Sequence, residues 1–184
     1  MKHITKHAEP DFFTKWKHND KMCQRGRPNW NRLKSEDKKK LRKTLLEEQG
    51  AICCYCGMTI TIDNSHVEHF RPKSKNKYPQ LQLEYDNLLC SCQLQLEKTE
   101  PRHCGNAKGS WFDEDMTVSP LNADCESRFD FLENGSIQSS DKNDEASKET
   151  VTHLALDIGK LRELRRAAIV SVLSSLLSEN IIED

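Results

Sequence analysis

Clustered cysteines constrain this chain more than any other feature of its sequence. Six of its eight cysteines lie between residues 53 and 104, and three of those fall within residues 53–56. Three thiols in four residues fit poorly with a set of separate disulfides. Inside the cell, where disulfides are disfavoured, clustered cysteines more often bind a metal ion. The sequence therefore predicts a metal site in this region.

The spacing of the cysteines indicates structural zinc. Cys53 and Cys56 form a C-x-x-C pair followed by a glycine, a turn that directs two thiolates at one ion. A tetrahedral site needs two more ligands, and we predict Cys92 and Cys104 for these positions, separated by an insertion. Cys90 is an alternative to Cys92. The cysteines expected to bind no metal are Cys23, Cys54 and Cys125.

Charge is divided unevenly along the chain. Residues 1–109 contain 21 Lys and Arg against 13 Asp and Glu, a net charge of +8, whereas residues 110–184 contain 7 against 16, a net charge of −9. A basic half favours a polyanionic partner, and an acidic half favours a protein surface or solubility. No run of about 18 apolar residues occurs, and the start of the chain lacks the apolar stretch of a signal peptide. We expect a soluble, cytoplasmic chain with no membrane partner.

Periodicity and turn signals predict an α+β chain. Residues 1–32 indicate an irregular arm, and Ser35 and Gly50 are the expected cap and end of the first helix. The predicted elements are a helix over 36–49, a hairpin over 127–138, and helices over 146–158 and 160–178. The predicted segments are 1–50, a basic arm and helix; 51–126, the zinc-stabilised core; and 127–184, a hairpin and helices for docking a partner.

Residues 66–73, HVEHFRPK, combine several ionisable side chains. Alternate residues of a strand share a face, so His66 and Glu68 would lie together. A polar edge strand accounts poorly for a carboxylate–histidine pair followed by four basic residues, all between two pairs of zinc ligands. A neutral histidine suits a general base, and a hard carboxylate suits Mg²⁺ or Mn²⁺. These residues are suited to general-base catalysis beside a divalent cation.

In this region the chain resembles the HNH endonucleases. The motifs that carry the resemblance are, in order, C-x-x-C, Glu-His-Phe-Arg-Pro-Lys, Asn-Leu-Leu and Cys-Gly-Asn-Ala-Lys-Gly, all within residues 51–109. The resemblance implies the ββα-metal fold, in which two strands and a helix hold one divalent cation. It also implies a catalytic Mg²⁺ or Mn²⁺ in addition to the structural zinc.

The resemblance implies roles for single residues. His69 takes the place of the general base, Glu68 that of an acidic cation ligand, and Asn87 that of the central asparagine that braces the loop. The third position, usually His or Asn, departs from the common pattern because a glycine follows the cysteine. Asn106 is the first choice for this cation ligand, and His103 is the alternative. The expected nucleic-acid contacts are Arg71, Lys73, Lys75 and Lys108.

The role of His66 stays open between a partner of the cation ligands, a third ligand and a plain structural histidine. Further basic residues near the N-terminus are expected to contact the nucleic-acid backbone, although a solvated helix face explains part of them equally well. These residues are Arg25, Arg27 and Lys38–Lys40.

From residue 1 to about residue 175, the chain is similar to HNH proteins of bacterial anti-phage systems, namely the PtuB subunit of Septu and effectors found beside some retrons. The phrases HVEHFRPKS and HCGNAKGSW carry this similarity. It implies an ATPase partner, PtuA, that gates the nuclease. DNA is the favoured substrate, with RNA, including tRNA, as the alternative. The competing function is a catalytically inactive zinc module that binds nucleic acid or protein; the presence of both Glu68 and His69 disfavours it.

Overall fold

The structure, a computed structural model, describes residues 1–19 and 27–179. Within these ranges the chain has an α+β arrangement with two separate antiparallel strand pairs. The helices are α1 (Asp11–Lys17), α2 (Ser35–Glu48), α3 (Gly105–Lys108), α4 (Glu145–His153) and α5 (Gly159–Glu179). The strands are β1 (Ser65–His69), β2 (Leu88–Cys92), β3 (Phe129–Phe131) and β4 (Ile137–Ser139).

Helix α2 supports the first strand pair through one apolar face. Leu41, Leu45 and Leu46 are buried, at a spacing that places them on one side of a helix. Acidic residues in the first turn stabilise its positive end. The helix begins at Ser35, and no side chain caps it, so the predicted cap is wrong by one residue. Gly50 follows the end of the helix with a φ of +65°, as predicted.

The antiparallel ladder of β1 and β2 places the residues of the candidate site. Its register pairs Ser65 with Cys92 at one end and His69 with Leu88 at the other. Every residue of β2 is buried, and α2 packs against both strands. The single-turn helix α3 follows the second cysteine pair. The order of two strands and a short helix is consistent with the α+β prediction.

The N-terminal segment differs from the prediction of an irregular arm. It contains α1, whose Phe13 is fully buried and stacks on Trp16 at 6.2 Å between ring centroids. Two turns are too short for helical periodicity to stand out in the sequence. Ahead of α1, Lys6 Nζ lies 2.5 Å from Glu48 Oε1 and 3.1 Å from the carbonyl oxygen of Leu88. These contacts hold the N-terminal segment against α2 and β2.

The C-terminal segment contains the predicted hairpin and two helices. Strands β3 and β4 pair through a turn in which Gly135 has a φ of +81°, which confirms the hairpin. Helix α4 ends at His153, five residues earlier than predicted. On α5, Leu161 is buried, whereas Val172 and Leu173 are more than half exposed. Neither α5 nor any other helix in the described ranges has the length and apolar character needed to cross a membrane.

One apolar core contains residues from all three predicted segments. Met1 and Phe13 come from the first, Tyr55 and Leu89 from the second, and Leu161 from the third, and all five are buried in the same cluster. In the described ranges, all three predicted segments therefore contribute side chains to one apolar core.

Candidate active site and metal centre

Four cysteine sulfurs converge where the two predicted cysteine pairs meet. The Sγ atoms of Cys53, Cys56, Cys92 and Cys104 all lie within 4.8 Å of one another, and those of Cys56 and Cys92 are 3.9 Å apart. Zn–S bonds of about 2.3 Å in a tetrahedron separate the sulfurs by about 3.8 Å. The thiols are therefore close to the geometry that zinc requires. In the part of the chain that the structure describes, no second group of His, Cys, Asp or Glu offers three converging ligands.

The backbone positions these thiols. The N–H of Cys92 points at Cys53 Sγ over 3.4 Å. Cys104 has a φ of +54°, a left-handed conformation that is uncommon for residues with a Cβ and persists where surrounding contacts hold it. The alternative ligand Cys90 has its Sγ 3.5 Å from the carbonyl oxygen of Arg42 on α2 and does not belong to the group.

Gln93, which no sequence motif marks, closes the insertion between Cys92 and Cys104. Its Oε1 accepts a hydrogen bond from the backbone N–H of His103 at 3.0 Å, and its amide nitrogen donates to a carbonyl of the same loop. His103 Nδ1 consequently lies 3.2 Å from Cys104 Sγ and 3.6 Å from Cys92 Sγ. This histidine is buried against the cysteine cluster.

A cleft of about 500 Å³ lies beside β1, the loop that follows it and α3. It brings together five of the predicted site residues and also His66, but its lining includes neither His103 nor Asn87. The predicted site residues that line it are Glu68, His69, Lys73, Lys75 and Asn106.

His69 is held in one orientation. Its Nε2 lies 3.1 Å from the carbonyl oxygen of Gln82, and its ring meets Trp30 edge-on at 4.6 Å between centroids. A carbonyl oxygen only accepts, so Nε2 carries the proton and Nδ1 keeps a lone pair. Burial, with the charge of Lys73 as a smaller cause, lowers the pKa of His69 to about 4. The ring is therefore neutral at pH 7, the state that a general base requires.

Glu68 carries a buried negative charge. Only 7% of the residue is exposed, and its Oε1 accepts hydrogen bonds from Lys108 Nζ at 2.8 Å and Tyr55 Oη at 3.2 Å. Its Oε2 lies 3.7 Å from His66 Nε2. Burial acts to raise the pKa of Glu68, but the interactions with His66 and Lys108 outweigh it and hold the pKa below its ordinary value. The carboxylate is ionised at neutral pH.

Lys108 is placed differently from the prediction. Its side chain is fully buried, and Nζ donates both to Glu68 Oε1 and to the carbonyl oxygen of His69 at 3.1 Å. The expected contact with phosphate does not fit this burial, because the ammonium group is enclosed by the protein. Lys108 instead neutralises Glu68 and ties α3 to the end of β1.

Lys108→Met is expected to destabilise the protein by about 3–5 kcal/mol, because it leaves the Glu68 carboxylate buried without its cation. Urea unfolding of the zinc-loaded chain measures the change. Lys75→Met is the matched control: Lys75 is exposed at the cleft, so its loss should change the free energy of unfolding by less than about 0.5 kcal/mol. Equal effects of the two substitutions would contradict the buried pair.

Asn87 braces the loop between β1 and β2. Its Oδ1 accepts from the backbone N–H of Arg71 at 2.7 Å, and its Nδ2 donates to the carbonyl oxygens of Arg71 and Leu81, both at 3.0 Å. Leu81 immediately precedes Gln82, whose carbonyl holds His69. The side chain of Asn87 therefore acts on the histidine through the backbone of this loop.

Asn106, in α3, is half-buried and lines the cleft. Its Nδ2 donates to the carbonyl oxygen of Gln93 at 2.7 Å, so Oδ1 is the amide atom that a cation could use.

Among the predicted phosphate contacts, Lys73 and Lys75 line the cleft, and burial lowers the pKa of Lys73. Arg71 forms an ion pair with Glu114, which a phosphate would have to displace. The predictions for Cys23 and Arg25 lie outside the described residues.

Comparison with known proteins found similarity over about half of the chain. No family model matches. The "Retron Vc95 putative HNH endonuclease" of Vibrio cholerae serotype O1 biovar El Tor is 35% identical over 101 residues, 54% of this chain and 47% of that protein. The "Retron Ec83 putative HNH endonuclease" of Escherichia coli is 30% identical over 102 residues, 50% of this chain and 37% of that protein.

These similarities support an HNH endonuclease. The chain spans less than half the length of either of these curated relatives. Both relatives are named for retrons, and neither name refers to Septu. The similarity therefore supports the retron-associated relatives that the sequence resembles and does not support the Septu type.

Proposed function

We propose that the chain is a metal-dependent HNH endonuclease that hydrolyses phosphodiester bonds in nucleic acid. The observation that carries the proposal is the imidazole of His69, which is neutral, fixed through Nε2 and placed in one cleft with the ionised Glu68. Phosphodiester hydrolysis needs a general base with a free nitrogen and a hard carboxylate that binds a cation. A protein that only binds nucleic acid has no use for this pair.

In the proposed reaction, water attacks the phosphorus atom. His69 Nδ1 accepts a proton from the water as its oxygen bonds to phosphorus. The bond from Nε2–H to the Gln82 carbonyl holds the ring in place and stabilises the imidazolium that forms. The bond from phosphorus to the leaving oxygen then breaks, and that oxygen takes a proton from solvent. The T-shaped contact with Trp30 restricts rotation of the histidine during these steps.

The donor atoms in the cleft fit Mg²⁺ or Mn²⁺. Glu68 Oε2 and Asn106 Oδ1 are hard oxygen donors of the kind these cations prefer. A cation bound there would supply positive charge for the phosphorane and the leaving oxygen. The zinc proposed for the four cysteines has a structural role only, because four thiolates leave no open coordination position.

DNA is the favoured substrate, with RNA, including tRNA, as the alternative. Lys73 and Lys75 line the cleft. A neighbouring groove shares His66 with the cleft and is lined by Lys38, Lys39 and other residues of α2. A basic path therefore continues from the cleft along α2, where it can follow a phosphate backbone. Contacts of this kind position a nucleic acid without reading its sequence.

Lys73→Gln and Lys75→Gln are each expected to weaken nucleic-acid binding and to reduce the slope of log affinity against log salt by about 1, because each removes one phosphate contact. Fluorescence anisotropy at several salt concentrations, with His69→Ala present to prevent cleavage, measures the slope. Lys142→Gln is the control, since Lys142 is exposed in the acidic half. An unchanged slope for both cleft lysines would show that the backbone binds elsewhere.

We further propose that the protein is the effector of an anti-phage defence complex gated by an ATPase of the PtuA type. The retron names of its relatives favour a defence role. Val172, Leu173 and Leu176 lie on one side of α5, are each at least half exposed and belong to the acidic half of the chain. These residues offer an apolar docking surface for such a partner.

The experiment uses the zinc-loaded full chain, alone and co-purified with the product of the neighbouring gene. Each preparation is incubated with plasmid DNA and with total tRNA, in Mn²⁺, Mg²⁺ or EDTA, with and without ATP. The proposal expects incision that EDTA abolishes, and the substrate that is cut identifies the nucleic acid. Binding of nucleic acid without incision under every condition would instead establish the inactive zinc module.

A further inference from the structure

We propose that His66 is a ligand of the catalytic cation through Nε2, completing with Glu68 Oε2 and Asn106 Oδ1 a mixed nitrogen–oxygen site. This inference rests on the proposed function, because it concerns the same cation. It assigns to His66 one of the three roles that the sequence leaves open. Gly105, the first residue of α3, also lines the cleft.

The space beside Gly105 is already filled by two side chains of β1. A Cβ built on this glycine would lie 2.6 Å from Glu68 Oε2 and 2.9 Å from His66 Nε2, both closer than real Cβ contacts allow. Gly105 does not have the left-handed φ that several other glycines of the chain have. The reason for glycine is therefore the close approach of these two polar atoms, which converge on one point at the start of α3.

The two atoms are also the ones that remain free to bind an ion. Alternation along β1 puts His66 and Glu68 on one face, with Nε2 and Oε2 3.7 Å apart. The other carboxylate oxygen, Oε1, is taken by Lys108 and Tyr55. Both His66 and Glu68 line the cleft together with Asn106, the residue that follows Gly105. An imidazole nitrogen, a carboxylate oxygen and an amide oxygen therefore face the same space.

A nitrogen ligand changes which ions the site prefers. Mg²⁺ favours oxygen donors, whereas imidazole suits transition metals and binds them increasingly well from Mn²⁺ towards Ni²⁺. We therefore expect the site to bind Mn²⁺ and Ni²⁺ more tightly than Mg²⁺. If His66 were only an ion-pair partner of Glu68, replacing His66 would not change the preference of the site for Mn²⁺ and Ni²⁺ over Mg²⁺.

The test measures binding and does not depend on cleavage. Zinc-loaded full chain carrying His69→Ala is titrated with Mn²⁺, followed by electron paramagnetic resonance of the free ion, and with Mg²⁺ and Ni²⁺ by calorimetry. Adding His66→Gln should weaken Mn²⁺ binding by about tenfold or more and Ni²⁺ binding by a larger factor, with little effect on Mg²⁺. His7→Ala, an exposed histidine outside the cleft lining, is the matched control.

Gly105→Ala provides a second variant that keeps every ligand. Its Cβ would lie too close to Glu68 Oε2 and His66 Nε2, so these side chains must shift, and the variant should also weaken Mn²⁺ binding while zinc content stays constant. If His66→Gln and His7→Ala give the same affinities while Glu68→Gln abolishes binding, His66 is not a ligand and the proposed function stands. If Glu68→Gln also leaves Mn²⁺ binding unchanged, the cleft holds no cation and both proposals are overturned.

Discussion

His69→Ala is expected to lower the rate of nucleic-acid cleavage by about 10²–10⁴-fold, the contribution typical of a positioned general base. The substitution removes the histidine that lies in the cleft with the ionised Glu68, has a neutral ring and keeps a lone pair on Nδ1. Zinc content should stay at that of the wild type, because no atom of His69 belongs to the cysteine group. Single-turnover cleavage in Mn²⁺ measures the loss.

Two variants control for this result. His7→Ala removes an exposed histidine outside the cleft lining and should retain the wild-type rate. Trp30→Leu removes the ring that meets His69 edge-on and should reduce the rate less than His69→Ala does, since the bond to Gln82 remains. Cleavage by His69→Ala at the wild-type rate would show that another group takes the proton.

Cys53→Ser is expected to abolish zinc binding and with it the folding of residues around both strands. Structural zinc contributes on the order of 10 kcal/mol or more of apparent stability, which is comparable to the whole free energy of unfolding of a typical domain, about 5–15 kcal/mol. Cys53 and Cys56 lie ahead of β1, and Cys92 ends β2, so one ion joins the two strands to α3. Metal analysis gives the stoichiometry, and circular dichroism with thermal unfolding gives the stability.

Cys54→Ala is the matched control for Cys53→Ser. Cys54 follows Cys53 in the sequence and is also buried, but its sulfur does not belong to the four-cysteine group. This variant should keep one zinc per chain and lose only the stability expected from a buried thiol, about 1–2 kcal/mol. One zinc per chain retained in Cys53→Ser would contradict the four-cysteine site.

Patterns of residues close together in the sequence predicted much of the metal site and of the local structure. The spacing of cysteines and glycines predicted four thiols that the structure brings within 4.8 Å. The alternation of a strand placed His66 and Glu68 on one face, and the Asn-Gly turn predicted the hairpin. Each of these signals depends on residues that are neighbours in sequence or on a ligand chemistry that few residue types satisfy.

Long-range packing could not be predicted in the same way. Lys108 lies in a motif rich in small and polar residues, but its ammonium group is buried against Glu68, 40 residues away in sequence. The carbonyl of Gln82 and the ring of Trp30 hold His69 from two distant segments, and neither has a motif that marks it. These contacts with His69 depend on how the loop between β1 and β2 and the N-terminal segment pack beside the cleft.

The most direct test of the central claim is a cleavage rate in Mn²⁺, measured with zinc-loaded protein in the presence of the proposed ATPase partner. The substrate is whichever of plasmid DNA and tRNA the wild type cuts. Wild type is compared with Glu68→Gln, which keeps the size of the side chain and removes its charge. We predict a rate at least about 100-fold lower for the variant at the same zinc content. Cleavage by Glu68→Gln at the wild-type rate would contradict a cation-dependent nuclease site in this cleft.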